Sequence, residues 1–344
     1  MIPTMLFLIL RYVVSVIPLA DNYVEWIFSF ASQAILNFAV VIGLYFILNR
    51  DKGLGDFQDV FHLNAPKKVS AGTLAIILVL PFVLRYASVG ISYLTQVLLL
   101  NFGFTTVSGA GTIYSSPWVF VAEVISTAVL PAFCEEFYNR GVLLSATSDV
   151  KDGWGKALFL GLMFGLFHQN VQQFLYTFFA GVVFGIVAMK TKSIWYCVYM
   201  HFVNNFLSVL YDYSSQQGNF IGQLYDMFYE TILPTFFLII FLSWIVAAAA
   251  VVYMCYLIMK EPLREDSERK ETPDRNFGER DFFSLSESYR AYGDGIFDFA
   301  PRERESVEPV VAKKKSFADY GFLIATIVVT VLSTIATYIW GVLR

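Results

Sequence analysis

Apolar residues in this chain come in long blocks, parted by short polar loops, and rarely alternate with polar ones. About 20 apolar residues in helical form cross a hydrocarbon layer roughly 30 Å thick. Blocks near that length fall at 4–20, 26–49, 71–99, 117–146, 156–173, 174–190, 194–211, 228–259 and 320–342. A segment apolar on every face belongs in lipid or in a buried bundle, where a helix satisfies its own backbone hydrogen bonds. The pattern predicts an all-α, polytopic membrane helix bundle with about 8–9 transmembrane helices.

The loops sort by charge. Arg50, Lys52, Lys67, Lys68, Lys151, Lys156, Lys190 and Lys192 fall in alternate loops, while LADNYVEW, NFGFTTVSGAGTIYSSPW and DYSSQQGNFIGQLYD hold no lysine or arginine. Basic loops stay in the cytoplasm, so the N-terminus is expected outside and the protein in the cell membrane, as a multi-pass protein of a bacterial plasma membrane. The first block lacks a basic lead-in and a small-residue cleavage site, which predicts a retained helix. Five regions follow: N-terminal transmembrane helices 1–115, a helix core 116–215, a C-terminal core helix 216–259, a charged and disordered cytoplasmic insert 260–318, and a last transmembrane helix 319–344.

Composition agrees: at 57% hydrophobic and 15% charged residues the chain is not a soluble domain. A net charge of −4 with no basic patch gives no footprint for nucleic acid. Cys134, Cys197 and Cys255 lie in apolar stretches without CxxC spacing and are expected to be buried thiols.

Ionisable groups inside the spans are functional candidates, because lipid penalises them. They are Arg11, Arg85, Glu123, Glu135, Glu136, Arg140, His168 and His201, the last followed by Asn204 and Asn205. By helix rise, Glu135 and His168 lie roughly 18 Å, and His201 roughly 14 Å, from the basic ends of their spans. Three helices thus place polar groups at one depth. Gly161, Gly165 and His168 share a face whose small residues permit close helix approach. His201 and Asn205 also share a face. Glu135 and Glu136 point about 100° apart, and only Glu136 stands one turn from Arg140, which predicts an ion pair there and a different task for Glu135. Glu123 is expected to neutralise Arg85 or Arg11, and His62 to have no role. Any one of these groups alone reads as a polar contact between helices.

Together, EEFYNR as EExxxR, FGLFH as FxxxH from Phe164 to His168, and HFVNN as HxxxN from His201 to Asn205 resemble the CPBP family of intramembrane proteases, which includes the CAAX prenyl endopeptidases of the Rce type and Abi-like proteins. The resemblance covers residues 115–215 and implies an intramembrane endopeptidase, a CAAX-type hydrolase of the kind named metalloendopeptidases. The residues permit that chemistry independently. Glu135 with His168 can activate a water, and His201 with Asn205 can donate to the oxyanion. Glu136 and Arg140 would hold the helix end, and Phe164 would pack on His168.

Glu135, His168 and His201 are also a two-His, one-carboxylate set suited to Zn2+, although no HExxH is present. Both versions stand, with the preference for no metal. The expected partners are the lipid bilayer and a membrane-associated peptide or protein substrate: a prenylated protein, a secreted peptide precursor or a membrane-anchored regulator. The alternative function is a non-enzymatic membrane scaffold or bacteriocin-immunity-type binding protein that retains the fold. A solute transporter is weakened by the lack of internal repeats.

Overall fold

The computed structural model describes residues 26–27, 30–48, 54–104, 112–148, 150–261 and isolated helical positions between 328 and 342. The chain divides into two compact units. Met1–Glu261 with Leu323–Arg344 holds every described residue, and Pro262–Phe322 lies outside them. The first expected span with Arg11, the insert beyond residue 261 and most of the last span are therefore not described.

Among the described residues every regular element is helical, as the apolar blocks require. α1 joins a π segment, Ala31–Ala39, to an α segment, Val40–Leu48. A short α2, Leu54–Val60, precedes α3, Ala71–Asn101, which starts where the Ser70 side chain accepts from the Thr73 amide at 3.1 Å. α4 runs from Pro117 to Ala146, α5 over Trp154–Phe167, α6 over Val171–Thr191 and α7 over Trp195–Gln217. α8 begins with Phe220–Met227 and ends at Thr235, and α9 is Phe237–Lys260. Among the described residues α3, α4, α6 and α9 are long and apolar enough to cross a membrane, so the chain is a polytopic membrane bundle.

Two expected spans change. The block at 156–173 was expected to be one helix, but α5 stops at Phe167. Gln169 takes a left-handed φ of 49°, and the Asn170 side chain accepts from the Gln172 amide at 2.9 Å to cap α6. At about 21 Å, α5 is shorter than a ~30 Å layer. The block at 228–259 is broken at Phe236, two residues after Pro234, so α9 starts only at Phe237.

α6 lies at the centre, packed against α3, α5, α7 and α9. Ile77, Leu80 and Leu84 of α3 meet Val183, Ile186 and Val187 of α6, Met200 of α7, and Val251 and Cys255 of α9. Leu238, Ile239 and Val246 of α9 are exposed, as a lipid-facing surface should be. Cys134, Cys197 and Cys255 are buried and unpaired.

The α5–α6 contact depends on glycine. A Cβ on Gly161 would stand 2.8 Å from the Phe178 carbonyl oxygen and 2.9 Å from the Val182 amide, both rigid backbone. We expect Gly161→Ala to lower stability by about 1–3 kcal/mol through overpacking, read as thermal melting in detergent. Gly155→Ala, where a Cβ meets nothing within 4 Å, is the control.

At the lysine-bearing end, Asp152 accepts from Lys156 at 3.0 Å and Lys192 at 2.5 Å, tying the start of α5 to the end of α6. Partial burial alone would raise the Asp152 carboxyl, but the hydrogen bonds from Lys192 and Lys156 outweigh it and hold it below the usual carboxylate range. His62, expected to be idle, takes a left-handed φ of 52°. Its carbonyl accepts from the Ile194 amide at 3.0 Å, and its Nε2 is 3.2 Å from Ser145 Oγ. Burial, then Lys192 and Lys156, push its imidazole below the ordinary value.

Candidate active site

α4 alternates between two helical pitches. π segments at Val124–Val129 and Phe137–Leu143 flank the α segment Leu130–Glu136, which carries both glutamates. A π turn re-phases the side chains that follow it and loosens the i→i−4 ladder, which is why such turns gather at functional sites. Two polar side chains use the altered backbone. Asn205 Nδ2 donates to the Thr127 carbonyl at 3.0 Å, and Asn139 Nδ2 donates to the Glu135 carbonyl at 2.8 Å.

α4, α5 and α7 bring their ionisable groups together. His168, immediately after α5, places Nε2 3.9 Å from Glu135 Oε2, and His201 of α7 places Nε2 4.0 Å from the same oxygen. These separations are too long for a hydrogen bond and suit one bridging water. Among the described residues Glu135 Oε2 is buried without a hydrogen-bond partner, an unsatisfied state that a water relieves.

Proton positions follow from the partners. His168 Nδ1 is 2.9 Å from the Phe164 carbonyl, which can only accept, so Nδ1 carries a proton. His201 Nδ1 is 2.9 Å from Glu136 Oε1, with the same consequence. When neutral, both rings therefore turn an Nε2 lone pair toward Glu135. His201 donates through Nε2 only as the doubly protonated ring.

Glu136 does two things. Its Oε1 accepts from Arg140 Nη1 at 3.0 Å, the i,i+4 pair that the sequence predicts, and the same oxygen anchors His201. Arg140 Nη2 donates to the Gly181 carbonyl of α6 at 3.0 Å, and the guanidinium lies over the Phe164 ring, 4.6 Å from its centroid, and over Phe184 at 5.3 Å. Glu136 and Arg140 are fully buried, a state that charges tolerate only when paired and hydrogen-bonded. Phe164 is shared: its ring meets His168 edge-on at 4.9 Å and His201 at 5.8 Å. The α5–α6 glycines thus set the distance between Phe164 and Arg140's carbonyl acceptor.

Gln33 of α1 has no motif around it and was not foreseen. Its Nε2 donates to Glu135 Oε1 at 2.6 Å, leaving Oε2 as the oxygen facing the imidazoles. We expect Gln33→Leu to lower kcat about tenfold, the scale of one lost hydrogen bond to a charged group, with little change in KM. Equal kcat for Gln33→Leu and wild type would remove Gln33 from the positioning of Glu135.

Glu123 does not neutralise Arg85. It accepts instead from Trp26 Nε1 at 2.7 Å, Thr112 Oγ1 at 3.1 Å and Thr127 Oγ1 at 2.6 Å. Three neutral donors stabilise this carboxylate, and Arg11, the other expected partner, lies outside the described residues.

The metal version requires closer ligands. Tetrahedral zinc with bonds near 2.0 Å sets its ligand atoms about 3.3 Å apart. Glu135, His168 and His201 stand wider than that, and among the described residues no group of three or more His, Cys, Asp or Glu has an arrangement that could hold a metal ion.

Residues 117–207 match the family described as type II CAAX prenyl endopeptidase Rce1-like. The match spans α4 to α7, the helices that carry all of the motif residues. The match makes α4–α7 of this polytopic helical bundle similar to the type II CAAX prenyl endopeptidases. No curated protein and no solved structure matches the chain.

Proposed function

We propose that the protein hydrolyses a peptide bond of a membrane-associated peptide or protein, with a water held by Glu135 and His168 as nucleophile. The observation that carries this reading is the open Glu135 Oε2, flanked by two imidazole nitrogens at 3.9 and 4.0 Å. Glu135, assisted by His168, takes a proton from the water as its oxygen attacks the substrate carbonyl carbon. The carbonyl π pair moves onto oxygen, and His201 as imidazolium with the remaining Asn205 N–H donates to that oxyanion. Collapse breaks the C–N bond, and the proton held by Glu135 passes to the departing amine. Glu136 holds His201 by Nδ1 throughout and stabilises its positive charge.

Hydrolysis needs water at the site, and we assign its access to the lysine-bearing side, taken as the cytoplasm. The decisive experiment incubates purified protein in proteoliposomes with apolar peptides and identifies fragments by mass, with and without a chelator. A discrete internal cut that survives chelation is the expected result. A cut abolished by chelation and restored by zinc would replace the activated-water step with a metal-bound one. No cut in any peptide, with tight peptide binding retained, would leave a binding scaffold.

A further inference from the structure

The lysine-bearing end of the bundle holds an open cavity of about 780 Å³ that the proposed hydrolysis does not use. The ends of α2 and α4, the start of α5 and the end of α6 wall it. Lys151, Lys156, Lys192, Ser145, Ser148 and His62 stand in that wall. Its carboxylates among the described residues are Asp59 and Asp152. Asp152 is shared between Lys156 at 3.0 Å and Lys192 at 2.5 Å, and Asp59 accepts from Asn64 Nδ2. Lys156 is buried, and of its three N–H donors one goes to Asp152 and one to the Val150 carbonyl at 3.4 Å. Lys151 is exposed and has no ion pair among the described residues. The wall thus keeps a surplus of ammonium groups, which suits an anion with several acceptor oxygens.

The wall is also held firmly. Among the described residues three non-glycine residues take a left-handed φ, and two of them, His62 and Lys192, both at 52°, stand here. A helix that ends in this conformation usually places glycine there, and such departures persist where the surroundings impose them and gather at ligand sites. The His62 carbonyl accepts from the Ile194 amide at 3.0 Å, the Leu63 carbonyl from Trp195 Nε1 at 2.9 Å, and the Asn64 carbonyl from Ser193 Oγ at 2.7 Å.

Position at the membrane surface selects the carrier of the anion. Trp154 and Trp195 open α5 and α7 at this end, and both are exposed, as aromatic residues at the headgroup level are. Val150 of the wall is exposed, and Trp154, Leu158 and Leu162, each one turn from the next, continue an exposed apolar row along α5. A phosphate in the cavity and acyl chains on this row are the two ends of one phospholipid, and basic pockets between membrane helices receive anionic headgroups.

We propose that the cavity is a phosphate site occupied by the headgroup of an anionic phospholipid, with Lys151, Lys156 and Lys192 as donors and the acyl chains on the Trp154, Leu158 and Leu162 row. The bound lipid braces the start of α5 against the end of α6. The full chain in neutral detergent is titrated with phosphatidylglycerol, phosphatidylcholine or glycerol 3-phosphate, and bound ligand is counted by native mass spectrometry. Phosphatidylglycerol should bind about tenfold or more tighter than phosphatidylcholine, the scale of a charge-assisted hydrogen bond. It should also raise the melting temperature, as a ligand of the folded state does. Lys151→Gln breaks no ion pair, so it should melt like wild type and lower the preference several-fold. Lys151→Gln/Lys192→Gln should bring it near one. Lys68→Gln, which changes an exposed lysine at the same end but outside the wall, should leave it unchanged.

The site is overturned if wild type shows no preference for phosphatidylglycerol, or if Lys68→Gln lowers the preference as much as Lys151→Gln, the mark of diffuse surface attraction. Glycerol 3-phosphate bound as tightly as phosphatidylglycerol would overturn the lipid as carrier and leave a soluble phosphate ester as the ligand.

Discussion

Glu135→Gln and His168→Ala each reduce peptide hydrolysis by about 10²–10⁴-fold, the share that positioned general acid–base groups contribute, and melt close to wild type. Both side chains border the same open position. Glu135 Oε2 has no partner to lose, and His168 Nε2 faces it across 3.9 Å. Removing the charge of Glu135 therefore removes the base without exposing a buried counterion, because among the described residues the only close donor to this carboxylate is the neutral Gln33 amide. The glutamine side chain can still accept from Gln33, so the fold should hold. His168 caps α5, and its Nδ1 contact to Phe164 is local, so alanine costs one hydrogen bond and the ring contacts to Phe164 and Phe167. Initial rates on a cleaved peptide, together with thermal melting, test both. Turnover at the wild-type rate by either variant would remove that residue from the mechanism.

Glu136→Gln behaves differently. It leaves Arg140 fully buried with a neutral partner, and breaking a buried ion pair by removing one charge costs about 3–5 kcal/mol. It also takes from His201 the carboxylate that orients Nδ1, so activity falls with stability. Arg140→Gln should destabilise to a similar degree, since it strands Glu136 and frees the Gly181 carbonyl. The double variant Glu136→Gln/Arg140→Gln should be less destabilised than the sum of the two, the signature of directly coupled charges. Denaturant or thermal unfolding in detergent supplies the stabilities. If Glu136→Gln melts like wild type yet is inactive, the roles of the two glutamates are exchanged.

Local chemistry accounts for what could be read before the fold was known. A run of about 20 apolar residues has one physical solution in lipid, so the helical class follows from composition and block length. Glu136 and Arg140 are four apart, and helix geometry alone pairs them. GLMFG predicts a close helix contact, and the Gly161 approach to Phe178 and Val182 is that contact. Phe164 and His168 likewise share a face one turn apart, and their rings touch.

What escaped the sequence depends on partners remote along the chain or on departures from the regular helix. Gln33 sits 102 residues from Glu135, and nothing local marks it. Glu123 looked like a counterion for Arg85 because both are charged and similarly deep, yet Trp26 and two threonines donate to it instead. The π segments of α4 carry no clear residue signature, although they present the Thr127 carbonyl to Asn205. The end of α5 at Phe167 was hidden because hydropathy does not register a left-handed Gln169 or an Asn170 cap. The sequence by itself determined the membrane class, the helix faces and the pairing of neighbours within a turn, since these depend on spacing and solvent. Only the tertiary structure decided which oxygen of Glu135 is free and which nitrogen of each histidine faces it, because each is a distance between helices that spacing along one helix cannot encode.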